Sequence, residues 1–125
     1  MRACLAIGLG GALGAICRYL LSLIPVRGAV PWMTMLTNLL GAILIGMVVG
    51  LAALLPDLPA DLLFFLKTGF CGGFTTFSTF SLEMLKLLED GRLAAAMLYA
   101  CLSVVLCIAG VWLGRELLLA AFPSR

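Results

Sequence analysis

The sequence predicts an all-α membrane protein with four transmembrane helices per subunit, the third of them broken, two subunits pairing as an antiparallel, dual-topology homodimer. Three observations predict it. Of 125 residues, 64% are hydrophobic and 11% charged, and the mean hydropathy is +1.23, so a soluble globule would have too few polar residues to cover its surface. Four apolar stretches are each long enough to cross a hydrocarbon core of about 30 Å, which takes about 20 helical residues. Lys and Arg divide evenly between the two sides that these crossings define.

In order along the chain, the predicted helices cover residues 3–24, 32–55, 62–88 and 93–121, a single transmembrane domain over 1–125. Pro25 and Pro31 bracket the first loop, Pro56 and Asp61 the second, and Glu89 and Arg92 the third. The first stretch is long and glycine-rich, carries Arg18 near its end and lacks a convincing small-residue cleavage site, which sets it apart from a signal peptide. Each stretch holds a GxxxG: Gly10 and Gly14, Gly46 and Gly50, Gly69 and Gly73, Gly110 and Gly114. Helices in lipid associate through close backbone approach, so small residues one turn apart mark packing faces. They predict tight packing and say nothing of function.

The orienting charges balance. Arg2, Lys67, Arg115 and Arg125 fall on one side, and Arg18, Arg27, Lys86 and Arg92 on the other. The positive-inside rule needs an excess of Lys and Arg on one side; without it the chain is expected to insert both ways, which permits an antiparallel homodimer. Four helices are also too slim to surround a hydrated path comfortably. The basic residues are scattered singly, which argues against a nucleic-acid partner. Five cysteines without a CxxC, and no His, signal neither a disulfide framework nor a nitrogen-ligated metal site.

Polar groups inside the spans point to function, because they are costly in hydrocarbon and face a partner or a watery path. The main ones are Arg18, Asn38, Glu83 and the hydroxyls of GFCGGFTTFSTFS, residues 69–81, with Thr34, Thr37, Tyr99 and Ser103 as lesser candidates. Isolated hydroxyls commonly bond back to their own helix, Asn can bridge helices, and Arg18 can snorkel. The run is different. Gly69, Gly72 and Gly73 weaken the helix and Thr75, Thr76, Ser78, Thr79 and Ser81 offer competing hydrogen bonds, so a break is expected near residues 72–76. Carbonyls freed at membrane depth must be buried in protein, line water or hold an ion, and a small hard cation suits them. Beyond the break, Phe74, Phe77 and Phe80 recur every third residue. Aromatic rings have an electropositive edge; edges beside hydroxyls and the Asn38 amide would suit a small anion, without a Lys or Arg to bind it too tightly.

At these residues the chain resembles the Fluc (CrcB) family of fluoride channels. The resemblance spans nearly the whole chain: GGALGAICRY at 10–19, PWMTMLTNLLGAILIG at 31–46, and the long, specific TGFCGGFTTFSTFSLE at 68–83. It implies passive, fluoride-selective export across the inner or plasma membrane, through two pores per antiparallel homodimer around a central structural sodium ion. By the same resemblance the third helix breaks at Gly72 and Gly73, and the backbone carbonyls of Gly72 and Thr75 ligate sodium. Phe77 and Phe80 match the pore phenylalanines and Asn38 the pore asparagine; Ser78, Thr79, Glu83, Tyr99 and Ser103 extend a polar track, and Arg18 belongs in or near a vestibule. Two positions depart from the pattern. Thr37 stands where an aliphatic residue is more usual, and Cys107 where a serine commonly follows Ser103 by one turn, a weaker donor.

Three other classes fit less well; one, a non-transporting assembly subunit, would explain the GxxxG motifs but gives no reason for Asn38 and the alternating Phe and hydroxyl residues. A small multidrug exporter shares the size and dual topology, but it needs a membrane-embedded carboxylate, and the first span has none; Glu83 lies near the end of helix three. An enzyme would need paired acids, a His or an activated nucleophile, and none is signalled.

Overall fold

The computed structural model describes residues 1–26, 28 and 30–122; Arg27 and Arg125, counted above as orienting charges, lie outside the described residues. Helix α1 is Arg2–Ser22 and α2 is Trp32–Leu54. Helix α3 covers residues 60–74. It opens with an α turn, Ala60–Leu63, winds as a π-helix over Phe64–Cys71 and closes with an α turn, Gly72–Phe74. Helix α4 is Phe77–Glu89 and α5 is Leu93–Ala121. Three of these, α1, α2 and α5, are long and apolar enough to cross a membrane by themselves. The broken pair α3 and α4 covers the remaining apolar stretch, so the all-helical, four-helix plan with a broken third helix fits.

Local chemistry sets the ends. Pro31 and Pro59 occupy the N-caps of α2 and α3, where a missing N–H costs nothing, while Leu55 is held out of the helical region ahead of Pro56. Asp61 in the first turn of α3 complements the positive end of the helix. Between α4 and α5, Gly91 takes φ +71°, with its N–H on the Leu88 carbonyl at 3.0 Å and the Arg92 N–H on the Leu87 carbonyl at 2.8 Å. This is a Schellman stop, whose left-handed residue a glycine adopts without strain.

The helices pack as two pairs, α1 on α3 and α2 on α5. Both seams are set by backbone contact. A Cβ at Gly10 would strike the Phe65 carbonyl oxygen, one at Gly14 the Phe70 oxygen and one at Gly73 the Gly11 oxygen; on the other seam, Gly46 faces the Val111 oxygen and Gly114 the Ile43 oxygen. The GxxxG residues therefore lie at the helix contacts. Helix α4 turns away from the first pair and packs on α5, where Met35, Leu87, Ala96 and Tyr99 form a buried cluster with Phe80 and Met84 against it. The break thus carries the chain from one helix pair to the other.

The break falls within the expected residues 72–76 but beyond Gly72 and Gly73, where the resemblance placed it. Gly72 and Gly73 are helical, Gly72 with φ −65° and ψ −38°, and the chain leaves the helix at Thr75 (φ −84°, ψ 158°) and Thr76 (φ −150°, ψ 114°). Gly73 serves instead to bring α3 against the Gly11 backbone, and the partner that holds the backbone open comes from α2.

Candidate functional site: an uncharged track across a helix break

That partner is Asn38. The Thr76 N–H donates to Asn38 Oδ1 at 2.8 Å and Asn38 Nδ2 donates to the Thr76 carbonyl at 3.2 Å. A side-chain amide carries the same donor and acceptor as a peptide, so Asn38 pairs with both backbone groups of Thr76 as a neighbouring strand would. One hydrogen of the Asn38 amide nitrogen is used in this way, and an amide has two.

Thr76 also starts α4. Its Oγ1 accepts from the Thr79 N–H at 3.2 Å, an N-cap, donates to Thr79 Oγ1 at 3.0 Å and lies 3.3 Å from Ser78 Oγ. Thr76, Ser78 and Thr79 so form a continuous hydroxyl cluster at the break. The sequence reading passed over Thr76 as an organiser, although a Thr just ahead of a helix is a recognisable capping signal. Other hydroxyls are spent locally: Thr75 on the Cys71 carbonyl at 2.9 Å, Ser81 on the Phe77 carbonyl at 2.9 Å and Thr37 on the Met33 carbonyl at 2.8 Å. The unusual Thr37 is thus buried with its hydroxyl bonded within α2.

The same capping and clasping redirect two amides. In an unbroken helix the Thr76 and Thr79 N–H groups would bond the carbonyls of Gly72 and Thr75; here they bond Asn38 Oδ1 and Thr76 Oγ1. The neighbouring Gly73 carbonyl receives Arg18 Nε at 3.2 Å, which sets a cation at the carbonyl end of α3, where the helix dipole favours one. Arg18, expected in or near a vestibule, thus has its guanidinium bound at the break.

The rings follow. Phe77 is 78% exposed and its ring centroid is 5.4 Å from that of Phe80, tilted by 35°; Phe80 in turn lies 5.0 Å from Tyr99, tilted by 51°. Tyr99 is fully buried and donates to Glu83 Oε2 at 2.7 Å, while Thr34 donates to Oε1 at 2.8 Å. Both Glu83 oxygens are therefore held. A cleft of about 470 Å³ begins at Thr34 and Glu83 and is also lined by Trp32, Lys86 and Asp90.

On the other side, a groove of about 560 Å³ runs between α3 and the α2–α5 pair, lined by Asn38, Thr75, Thr76, Phe77, Phe80 and Ser103 among others. Ser103 is buried and its hydroxyl has no hydrogen-bond partner among the described residues. Cys107 lines the groove one turn along α5. The groove thus brings together Asn38, Phe77, Phe80 and Ser103 with Gly72 and Thr75; Ser78 and Thr79 adjoin it through Thr76, while Glu83 lines the cleft and is tied to Phe80 through the buried Tyr99.

Comparison with known proteins points the same way. A family model described as "CrcB-like protein, Camphor Resistance (CrcB)" matches residues 5–115. A protein of Methanocaldococcus jannaschii named fluoride-specific ion channel FluC is 42% identical over 123 residues, 98% of each chain. Proteins of the same name from Geobacter sulfurreducens and Leptospira interrogans are 45% and 46% identical, covering 91% and 87% of this chain and 94% and 91% of the relatives.

Proposed function

This chain belongs to the CrcB family, and from that membership and the uncharged track at its helix break we propose that it is a fluoride-selective ion channel of the cell's inner or plasma membrane. HF that enters a cell dissociates there; the channel lets the negative membrane potential drive the anion out, without coupling to another gradient. The observation that carries this reading is the pairing of Asn38 with Thr76, which holds hydroxyls and phenylalanine rings along one groove with no carboxylate among its lining residues.

The anion sheds water in steps. The remaining Asn38 N–H and the Ser78, Thr79 and Ser103 hydroxyls replace hydration, and the edges of Phe77 and Phe80 meet the ion where no hydroxyl is in reach. None of these carries charge, so binding stays weak enough for release. Two copies pack antiparallel with their grooves facing, which gives each dimer two pores.

Where two such breaks meet, the Gly72 and Thr75 carbonyls of both copies would hold a sodium ion, and the support is that the amides which would have bonded those carbonyls are turned to Asn38 and Thr76. Hard cations take oxygen ligands of this kind; when bound, the ion joins two carbonyl-rich helix ends that otherwise repel.

The test is made in cells lacking fluoride export. Expression of this protein should lower accumulated cytoplasmic fluoride and restore growth in fluoride medium. Unchanged accumulation with the protein present in the membrane would overturn the proposal.

A further inference from the structure

Among the described residues, Lys67 is the one charged residue lining the groove. With Thr68, Cys71 and Gly72 it lines the groove along one face of α3, and that face leads to Thr75 at the break, to Asn38 and to Phe77. It is exposed within the single chain, and no carboxylate lines the groove with it. It lies seven positions after Ala60, where α3 begins, roughly two helical turns into the crossing. An ionisable group at such depth is costly and turns to a counter-charge or to a watery path.

We propose that Lys67 is the cation that draws the permeating anion into one end of this path, a rate-setting residue; the inference rests on the fluoride-channel reading above. The opposite wall supports it. On α5, Ser103, Cys107 and Val111 line the groove at one-turn spacing, and the next residue in that series is the exposed Arg115. Glu116 lies about 100° farther round α5. A second positive charge, Arg115, therefore continues the α5 wall of the groove one turn past Val111. From Ser103 to Val111 is about 12 Å of helix at 1.5 Å per residue, so Lys67 stands at the entrance and away from the Phe77 and Phe80 rings. A cation there raises the local anion concentration without holding the ion in the narrow segment.

The experiment compares the full-length wild type with Lys67→Gln and Lys67→Arg in liposomes of neutral lipid, with dimer content checked by size exclusion. Initial fluoride efflux is read at about 10 mM and about 1 M ionic strength, where the screening length is roughly 30 Å and 3 Å. At low ionic strength Lys67→Gln should lower efflux by roughly threefold to tenfold, and Lys67→Arg should keep the wild-type rate. At high ionic strength all three should converge. If Lys67→Gln conducts as the wild type does at low ionic strength, the lysine serves the lipid surface and the inference is wrong. A deficit that salt leaves unchanged would equally overturn it, since it would mark a structural role. Wild-type protein that passes no fluoride would instead sink the channel reading on which this one stands.

Discussion

Asn38 shows how one residue can have two readings that only tertiary structure reconciles. From the sequence it is an amide donor in mid-span, suited to an anion; in the fold it is also the clasp on Thr76, a partner 38 positions away that no local pattern announces. Asn38→Asp keeps the acceptor for the Thr76 N–H, loses the donor and places a negative charge on the anion's path. Fluoride efflux should fall to background while the protein still purifies as the wild type does. Phe77 separates packing from permeation. It is 78% exposed in the single chain, so Phe77→Ile costs little as a matter of shape, under about 1.5 kcal/mol by the measure of tolerated hydrophobic swaps. Losing the electropositive edge adds to the barrier, and each 1.36 kcal/mol slows passage about tenfold. Efflux should drop by at least that factor in intact dimers, with Phe77→Met milder because a polarisable thioether partly substitutes. An unaltered rate in Phe77→Ile would make the ring a packing residue only.

At the scale of elements, the helix ends were legible because proline and the Gly91 turn act locally, and the GxxxG pairs were legible because backbone contact demands small residues. The break was legible as falling within residues 72–76, but its place past the two glycines was not. Glycine lowers the cost of leaving a helix wherever it stands, whereas the place where the chain leaves is decided by Asn38 and by the Thr76 cap, which are contacts in space. The π winding of Phe64–Cys71 has no sequence signal that we can identify. These glycines make distinct predictions. Gly14→Val drives a side chain into the Phe70 carbonyl and should part α1 from α3, seen as loss of folded, monodisperse protein. A Cβ at Gly72 meets nothing within 4 Å in the single chain. Gly72→Val should therefore leave the subunit helical by circular dichroism yet prevent dimer formation on size exclusion, because the added bulk lies where the two breaks are proposed to meet. A Gly72→Val protein that still dimerises fully would remove the break from the interface.

The whole molecule has apolar side chains turned outward over most of its surface, among them Leu9, Ile108, Val105 and Trp112, as a lipid-facing chain requires. The balanced Lys and Arg count is what supports the proposal of dual orientation, since orientation depends on charge near the span ends more than on packing. Adding three lysines to the loop at Asp57 to Asp61 should lock every copy one way and abolish efflux, and a copy biased the opposite way should restore it. Full activity of the singly biased protein would show that opposed subunits are unnecessary. What neither charge nor periodicity could reveal is how the two helix pairs leave a groove between them, because that depends on which glycine seams close. The central claim is that this groove, uncharged from Asn38 to Phe80, passes fluoride and little else. Its most direct test is efflux from liposomes carrying the purified wild type, loaded with equal fluoride and chloride, with potassium ionophore present to balance charge. The account predicts that fluoride leaves rapidly while chloride is retained, at a rate indifferent to an imposed sodium gradient. Chloride leaving as fast as fluoride, or fluoride moving only in proportion to the sodium gradient, would contradict it.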